Sequence, residues 1–351
     1  MLNELLNKIE PLDINSMKAA QTRLDSLTKP LGSLGKLEDM IVKLSGINSS
    51  PNPKVDNKAI VIMCADNGVV EEGVSSCPKS VTASVTCNFT RGITAVNVFS
   101  RLTQSKVVVV DVGVDADISN AVIFNRKIRK GTWNMAKGPA MTREEAIAGI
   151  MTGIEIVKDL KAEGINLLGT GEMGIGNTST SSAVTAVFTG TPVDKLVGIG
   201  SGLSKEAYIN KIGVIQKAIE INQPHSSDPI DVLAKVGGFD IAGLTGCFLG
   251  AAIYRLPIVI DGFISAAAAL TAIRINPAAR DYMFTSHGSA EPGADIVMKA
   301  IDMEPMLNLN MRVGEGTGAA LGFQIIDAAM AAYTQMGTFN DAEITQYVPQ
   351  E

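Results

Sequence analysis

Two carboxylates of this chain sit among glycines just ahead of apolar, helix-like stretches. Glu315 lies in Met311-Arg312-Val313-Gly314-Glu315-Gly316-Thr317-Gly318, and Glu172 in Leu168-Gly169-Thr170-Gly171-Glu172-Met173-Gly174-Ile175-Gly176-Asn177. A carboxylate projecting from a tight glycine loop, beside free backbone N–H groups, is a candidate catalytic residue. Taken singly, either stretch reads as a turn whose acid complements a helix N-terminus, worth about 0.3–1 kcal/mol. Two of them, each expected to be an exposed acid in a loop, point to one shared pocket.

The positioning elements follow from the apolar pattern. Short β-branched runs recur at 59–63, 107–110, 165–168, 257–260 and 282–284, separated by amphipathic segments. Continuous apolar strands alternating with helices specify a parallel sheet with helices on both faces. Polar and glycine residues follow each run: Asp66-Asn67-Gly68, Asp111 to Asp115, Gly169 to Gly176, Asp261-Gly262-Phe263 and Ser286-His287-Gly288-Ser289. Ligands of open α/β sheets bind at that edge, so these loops are expected around one crevice. Residues before the Ser/Pro/Asn-rich stretch 49–57 have helical periodicity, interrupted by Pro30 and Gly32.

Composition narrows the partners. The chain has 351 residues, 46% hydrophobic and 19% charged, with a net charge of −6 and no basic run. Nothing here suits a nucleic-acid backbone or an anionic membrane. Cys64, Cys77, Cys87 and Cys247 show no CxxC spacing and there are two histidines, so reduced thiols and no metal site are expected. The first residues carry an early acid and no secretory pattern, and the longest apolar run, 242–254, is too short to span a bilayer. A cytoplasmic protein is expected.

Phosphate chemistry is readable in several places. Gly169-Thr170-Gly171-Glu172-Met173-Gly174 is a literal G-x-G-x-x-G, which keeps a dinucleotide-binding oxidoreductase as an alternative. Against it, Glu172 would direct a negative charge at the pyrophosphate, and no strand places an acid on the ribose. The hydroxyl-rich stretches Gly176 to Ser182 and Ser286 to Gly293 look like helix starts, suited to a phosphate without metal or equally to ordinary N-caps. A third glycine loop, Val197 to Leu203, leads to Lys205 and Lys211, either within reach of a phosphate. No Ser/His/Asp triad is legible. There is also no acidic pair with a Thr-Gly loop of the kind that holds magnesium-bound phosphoribosyl pyrophosphate.

Taken together, Ser26 to Gly35, Ala65-Asp66-Asn67-Gly68-Val69, Gly171 to Thr178, Gly237 to Gly243, Ser286 to Gly293 and Arg312 to Gly318 resemble, in this order, the nicotinate-nucleotide:dimethylbenzimidazole phosphoribosyltransferases of cobamide synthesis. The resemblance implies a Rossmann-like α/β domain over 51–310. A smaller helical domain would be built from both chain ends, 1–50 and 311–351, and the molecule would be a dimer. It implies that an aromatic base displaces nicotinate from nicotinate mononucleotide to give an α-riboside 5'-phosphate, without a cofactor. Glu315 is then the general base and Glu172 a stabiliser of ribose charge. Gly174, Gly176, Asn177, Gly202, Lys211 and Ser289 hold phosphate and ribose, and Ser80, Ser84 and Met173 meet the base. Where many members carry glutamine, this chain has Val81-Thr82-Ala83-Ser84-Val85; Asn67 replaces a common histidine, and Ile199 a frequent arginine. Those departures open the alternatives of a phenol or p-cresol as the base and of an inactive member of an unlike pair of subunits.

Overall fold

The computed structural model describes residues 2–198 and 202–346. Six parallel strands form its sheet: β1 (Lys58–Ala65), β2 (Lys106–Gly113), β3 (Phe124–Asn125), β4 (Leu167–Met173), β5 (Ile258–Ile260) and β6 (Met283–Thr285). Their order is β3-β2-β1-β4-β5-β6, so the chain builds outward from β1 and then reverses between β1 and β4. That reversal opens a crevice at the strands' C-terminal ends. All five apolar runs became strands. Two-residue β3 has too little pattern to be read from sequence.

Thirteen α-helices occur among the described residues. Three precede the sheet: α1 (Leu2–Leu6), α2 (Ile14–Ser26) and α3 (Lys36–Asn48). Between β1 and β4 come α4 (Val81–Thr90), α5 (Ala95–Leu102) and α6 (Arg143–Ala162). Between β4 and β5 come α7 (Asn177–Thr189), α8 (Lys205–Asn222), α9 (Pro229–Val236) and α10 (Phe239–Ile253). The remainder are α11 (Phe263–Ile275), α12 (Ala294–Ala300) and α13 (Thr317–Gln335).

Residue alternation along the strands sorts the helices onto two faces. Met63 packs on Gly243 of α10, and Thr170 bonds to Ser265 of α11. The neighbouring positions Gly169 and Gly171 face Ala319 and Gly316, at the start of α13. Every residue of α10 is buried, and Gly153 and Gly246 let the α6 and α10 backbones touch, since a Cβ at either would collide with a carbonyl of the other helix. The chain ends also meet: Thr28 N–H donates to Gly337 O at 3.0 Å, and Arg23 Nε to Tyr333 O at 3.2 Å. Tyr333 Oη in turn donates to Pro51 O at 2.6 Å.

Candidate active site

Glu172 is not an exposed loop acid. β4 continues through Gly169 and Gly171 to Met173, and Glu172 is only 6% exposed, paired in register with Met63 of β1. The glycines that suggested a turn serve close packing instead. A Cβ at Gly171 would stand 2.6 Å from Gly316 N and 2.7 Å from Glu315 O, and one at Gly169 would stand 2.9 Å from the Ala319 Cβ. Missing side chains therefore allow the segment ahead of α13 to lie directly on the strand.

That segment is the loop Glu315 was expected on. Gly314, Glu315 and Gly316 all have left-handed φ, at +74°, +62° and +86°. The loop crosses the sheet's C-terminal edge and reaches the other face, where a Cβ on Gly314 would be 2.5 Å from Glu172 Oε1. The two acids, far apart in sequence, thus meet at the switch point.

They line a 430 Å³ cavity together with Met173, Gly174, Gly176, Asn177, Lys211 and Ser289. Asn177, at the start of α7, donates from Nδ2 to Glu172 Oε2. Lys211 is 1% exposed, and its Nζ donates to Thr178 Oγ1 at 2.8 Å. Burial lowers the Lys211 ammonium to about 8, against the raising influence of Glu291. A buried cation next to the start of a helix is a ready anion seat. Arg312 adds a second cation to the cavity wall, and Val74, Val81, Val85, Ile175 and Val313 give it an apolar side.

Electrostatics among the acids is dominated by burial. Desolvation, reinforced by Asp240 and Asp261, raises Glu172 to about 8, although the Asn177 amide opposes this and Glu315 adds to it. Glu315 rises to about 7, by burial first and Asp261 second. Asp240, wholly buried beside Gly174, rises to about 6 by burial, opposed by its hydrogen-bonding neighbours. Such closely placed acids titrate as a set.

Some expected residues stand elsewhere. Ser80 and Ser84 are exposed and do not line the cavity; Ser84 Oγ donates to Ser80 O, while Val81 and Val85, one helix position on, supply the cavity wall. Adjacent helical positions are rotated about 100° apart, so serines and valines take different faces. Gly202 flanks the lining residue Leu203 without lining the cavity itself, and Ile199 lies outside the described residues. Ser289 is not at a helix start: α12 begins at Ala294, and Ser289 Oγ accepts from Glu291 N–H at 3.3 Å within a loop. Lys205 is exposed and does not line the cavity. Asp240, Asp261 and Arg312 lie within the sequence motifs and also belong to this region; an aspartate directly after an apolar run, as Asp261 is after β5, is the signal that the sequence carries.

Comparison with known proteins follows the same line. Residues 9–344 match a family model described as Phosphoribosyltransferase. The chain is 66% identical over 348 residues to the nicotinate-nucleotide–dimethylbenzimidazole phosphoribosyltransferase of Ruminiclostridium cellulolyticum, with 99% of each covered. It is 62% identical to the enzyme of that name from Clostridium acetobutylicum, again with 99% of each covered. The crystal structure of CobT from Thermus thermophilus is 38% identical, with a TM-score of 0.90 over 95% of this chain and 100% of that one.

Proposed function

The chain belongs to the nicotinate-nucleotide–dimethylbenzimidazole phosphoribosyltransferase family, and from that premise we propose a division of labour within its cavity. An aromatic base attacks the anomeric carbon of nicotinate mononucleotide, nicotinate departs, and an α-riboside 5'-phosphate remains. The observation that carries this reading is the meeting of Glu172 from β4 and Glu315 from the α13 loop in one cavity with the buried Lys211.

Nicotinate leaves as a pyridine from a pyridinium, so its departure requires no proton. The incoming azole must lose one, and Glu315, poised near neutrality, is matched to that task. Positive charge grows on the ribose as the bond to nicotinate lengthens. Burial and the neighbouring acids favour the protonated form of Glu172, and a cationic pyridinium or ribose beside it draws it toward the charged form, which then stabilises the transition state. Lys211, Thr178 and the backbone around Gly174, Gly176 and Asn177 suit the 5'-phosphate; Ser289 completes the proposed ribose and phosphate side, with Gly202 beside the lining residue Leu203. Met173, Val81 and Val85 suit the flat apolar base.

Purified protein given nicotinate mononucleotide with dimethylbenzimidazole or phenol in separate tubes, followed by liquid chromatography, tests the reading. Nicotinate and a new α-riboside phosphate in the dimethylbenzimidazole tube are expected. Product with phenol alone would move the base assignment to phenols, and product in neither would overturn this catalytic role for the isolated chain. The same reading includes a cytoplasmic dimer, checked by sedimentation. It also includes a helical lobe, made by 1–50 with 311–351, that carries the Glu315 loop; the bonds between Thr28 and Gly337 and between Arg23 and Tyr333 support that lobe.

A further inference from the structure

We infer that Asp261 is a positioning residue for Glu315: its buried carboxylate receives the first backbone N–H groups of α13 and so holds the left-handed turn that aims the base. The inference rests on Glu315 being the general base.

The turn needs an external tie. Three successive residues, 314–316, are left-handed, and Glu315 alone among them carries a Cβ. That conformation is unfavourable for a residue with a Cβ, which crowds the following carbonyl oxygen. α13 follows at once, and Gly316 at its N-cap has no side chain to receive the helix's opening N–H groups. Asp261 takes that place from a different strand. It directly follows β5, is 1% exposed, and accepts from Gly316 N–H at 2.9 Å through Oδ2 and from Gly318 and Ala319 N–H at 2.8 and 3.2 Å through Oδ1. A carboxylate there also meets the positive end of the α13 dipole.

Asp261 is itself fixed. Its N–H approaches Thr170 Oγ1 and Ser265 Oγ, each at 3.3 Å. His287 stands behind it, with Nδ1 4.0 Å from Oδ1 and 3.1 Å from Ser286 Oγ. Gly318 leaves the space: a Cβ there would collide with the His287 ring and stand 2.7 Å from Asp261 Oδ1. The charged groups around Glu315 are Asp261, Glu172 with Asp240 behind it, Arg312 on its own loop, and Lys211 and Glu291 in the same cavity. Among them Asp261 lifts the Glu315 carboxyl, after burial itself.

Asp261→Asn replaces one acceptor oxygen with an N–H donor facing N–H donors. We expect kcat to fall roughly 10–100-fold through misplacement of the base, with KM for nicotinate mononucleotide within about threefold of the parent. The acid limb of kcat/KM should move to lower pH. A kcat within about twofold of the parent, or a limb that stays put, would overturn the inference. Asp261→Glu keeps the charge on a longer arm: kcat should fall with the limb in place, and a moved limb would count against it. If neither variant folds, amide exchange in the parent chain decides. Slow exchange at Gly316, Gly318 and Ala319 is expected, and rapid exchange there would sink the idea. Should Glu315→Gln retain full turnover, the base assignment fails, while exchange still reports whether Asp261 holds the turn.

Discussion

Burial first, with neighbouring acids, lifts Glu315 to about 7 and Glu172 to about 8, and different measurements read the two, turnover for Glu315 and stability for Glu172. A general base works when deprotonated, so kcat/KM should rise with pH through about 7 and fall on the acid side as Glu315 gains its proton. Glu315→Gln should keep the fold and nucleotide binding while lowering turnover roughly 10²–10⁴-fold, measured as nicotinate release at saturation; unchanged turnover would remove it from the role. Glu172 makes its mark on stability. Its folded pKa lies above the ordinary glutamate value of 4.5, so its contribution is fully present below that value and is lost as pH rises through about 8. Glu172→Gln removes the buried charge. Its melting temperature should gain on the parent's by on the order of a few degrees between pH 5 and pH 9, at the expense of activity. A gap that is constant with pH would show that Glu172 titrates in the folded chain as it does unfolded, near 4.5.

At the scale of elements, the site depends on how closely α13 approaches β4. Gly171 sits against backbone atoms of the Glu315 loop, which cannot swing aside as a flexible side chain can. Gly171→Ala should therefore destabilise the fold by about 1–3 kcal/mol in a urea titration and lower kcat as well. Gly213 on α8 is the contrast, because a Cβ there meets nothing within 4 Å and the residue is helical. Gly213→Ala should stabilise by about 0.5–1 kcal/mol and leave turnover unchanged. Equal effects from the two substitutions would mean that α13 does not press on β4 as described.

The whole molecule ties its two ends to this loop. Lys29 and Glu38, 4% and 6% exposed, form an ion pair at 2.8 Å, and Glu38 Oε1 also accepts from Leu34 N–H at 2.9 Å. α3, which follows that turn, packs on α13. Glu38→Ala leaves the Lys29 ammonium buried without its partner charge and should cost about 3–5 kcal/mol, read from the urea midpoint. Turnover measured in the remaining folded fraction should fall too, since α13 loses support. A midpoint within about 0.5 kcal/mol of the parent would show that the pair is dispensable.

The sequence by itself determined the strand class, because continuous β-branched runs suit a sheet buried on both faces, and five such runs became five of the six strands. It also pointed to residues that meet: the two acids, Lys211 and the hydroxyl-rich start of α7 all reach one cavity. Tertiary structure alone decided where β4 ends. A glycine looks the same in sequence whether it permits a positive φ, as Gly314 and Gly316 do, or merely vacates space for another element, as Gly169 and Gly171 do. It also decided which face of α4 meets the cavity, putting Val81 and Val85 there instead of Ser80 and Ser84. The surroundings of each acid were likewise invisible beforehand. Asp240 and Asp261 come from elements distant in the chain, and the desolvation that raises Glu172 and Glu315 exists only once those elements close over them.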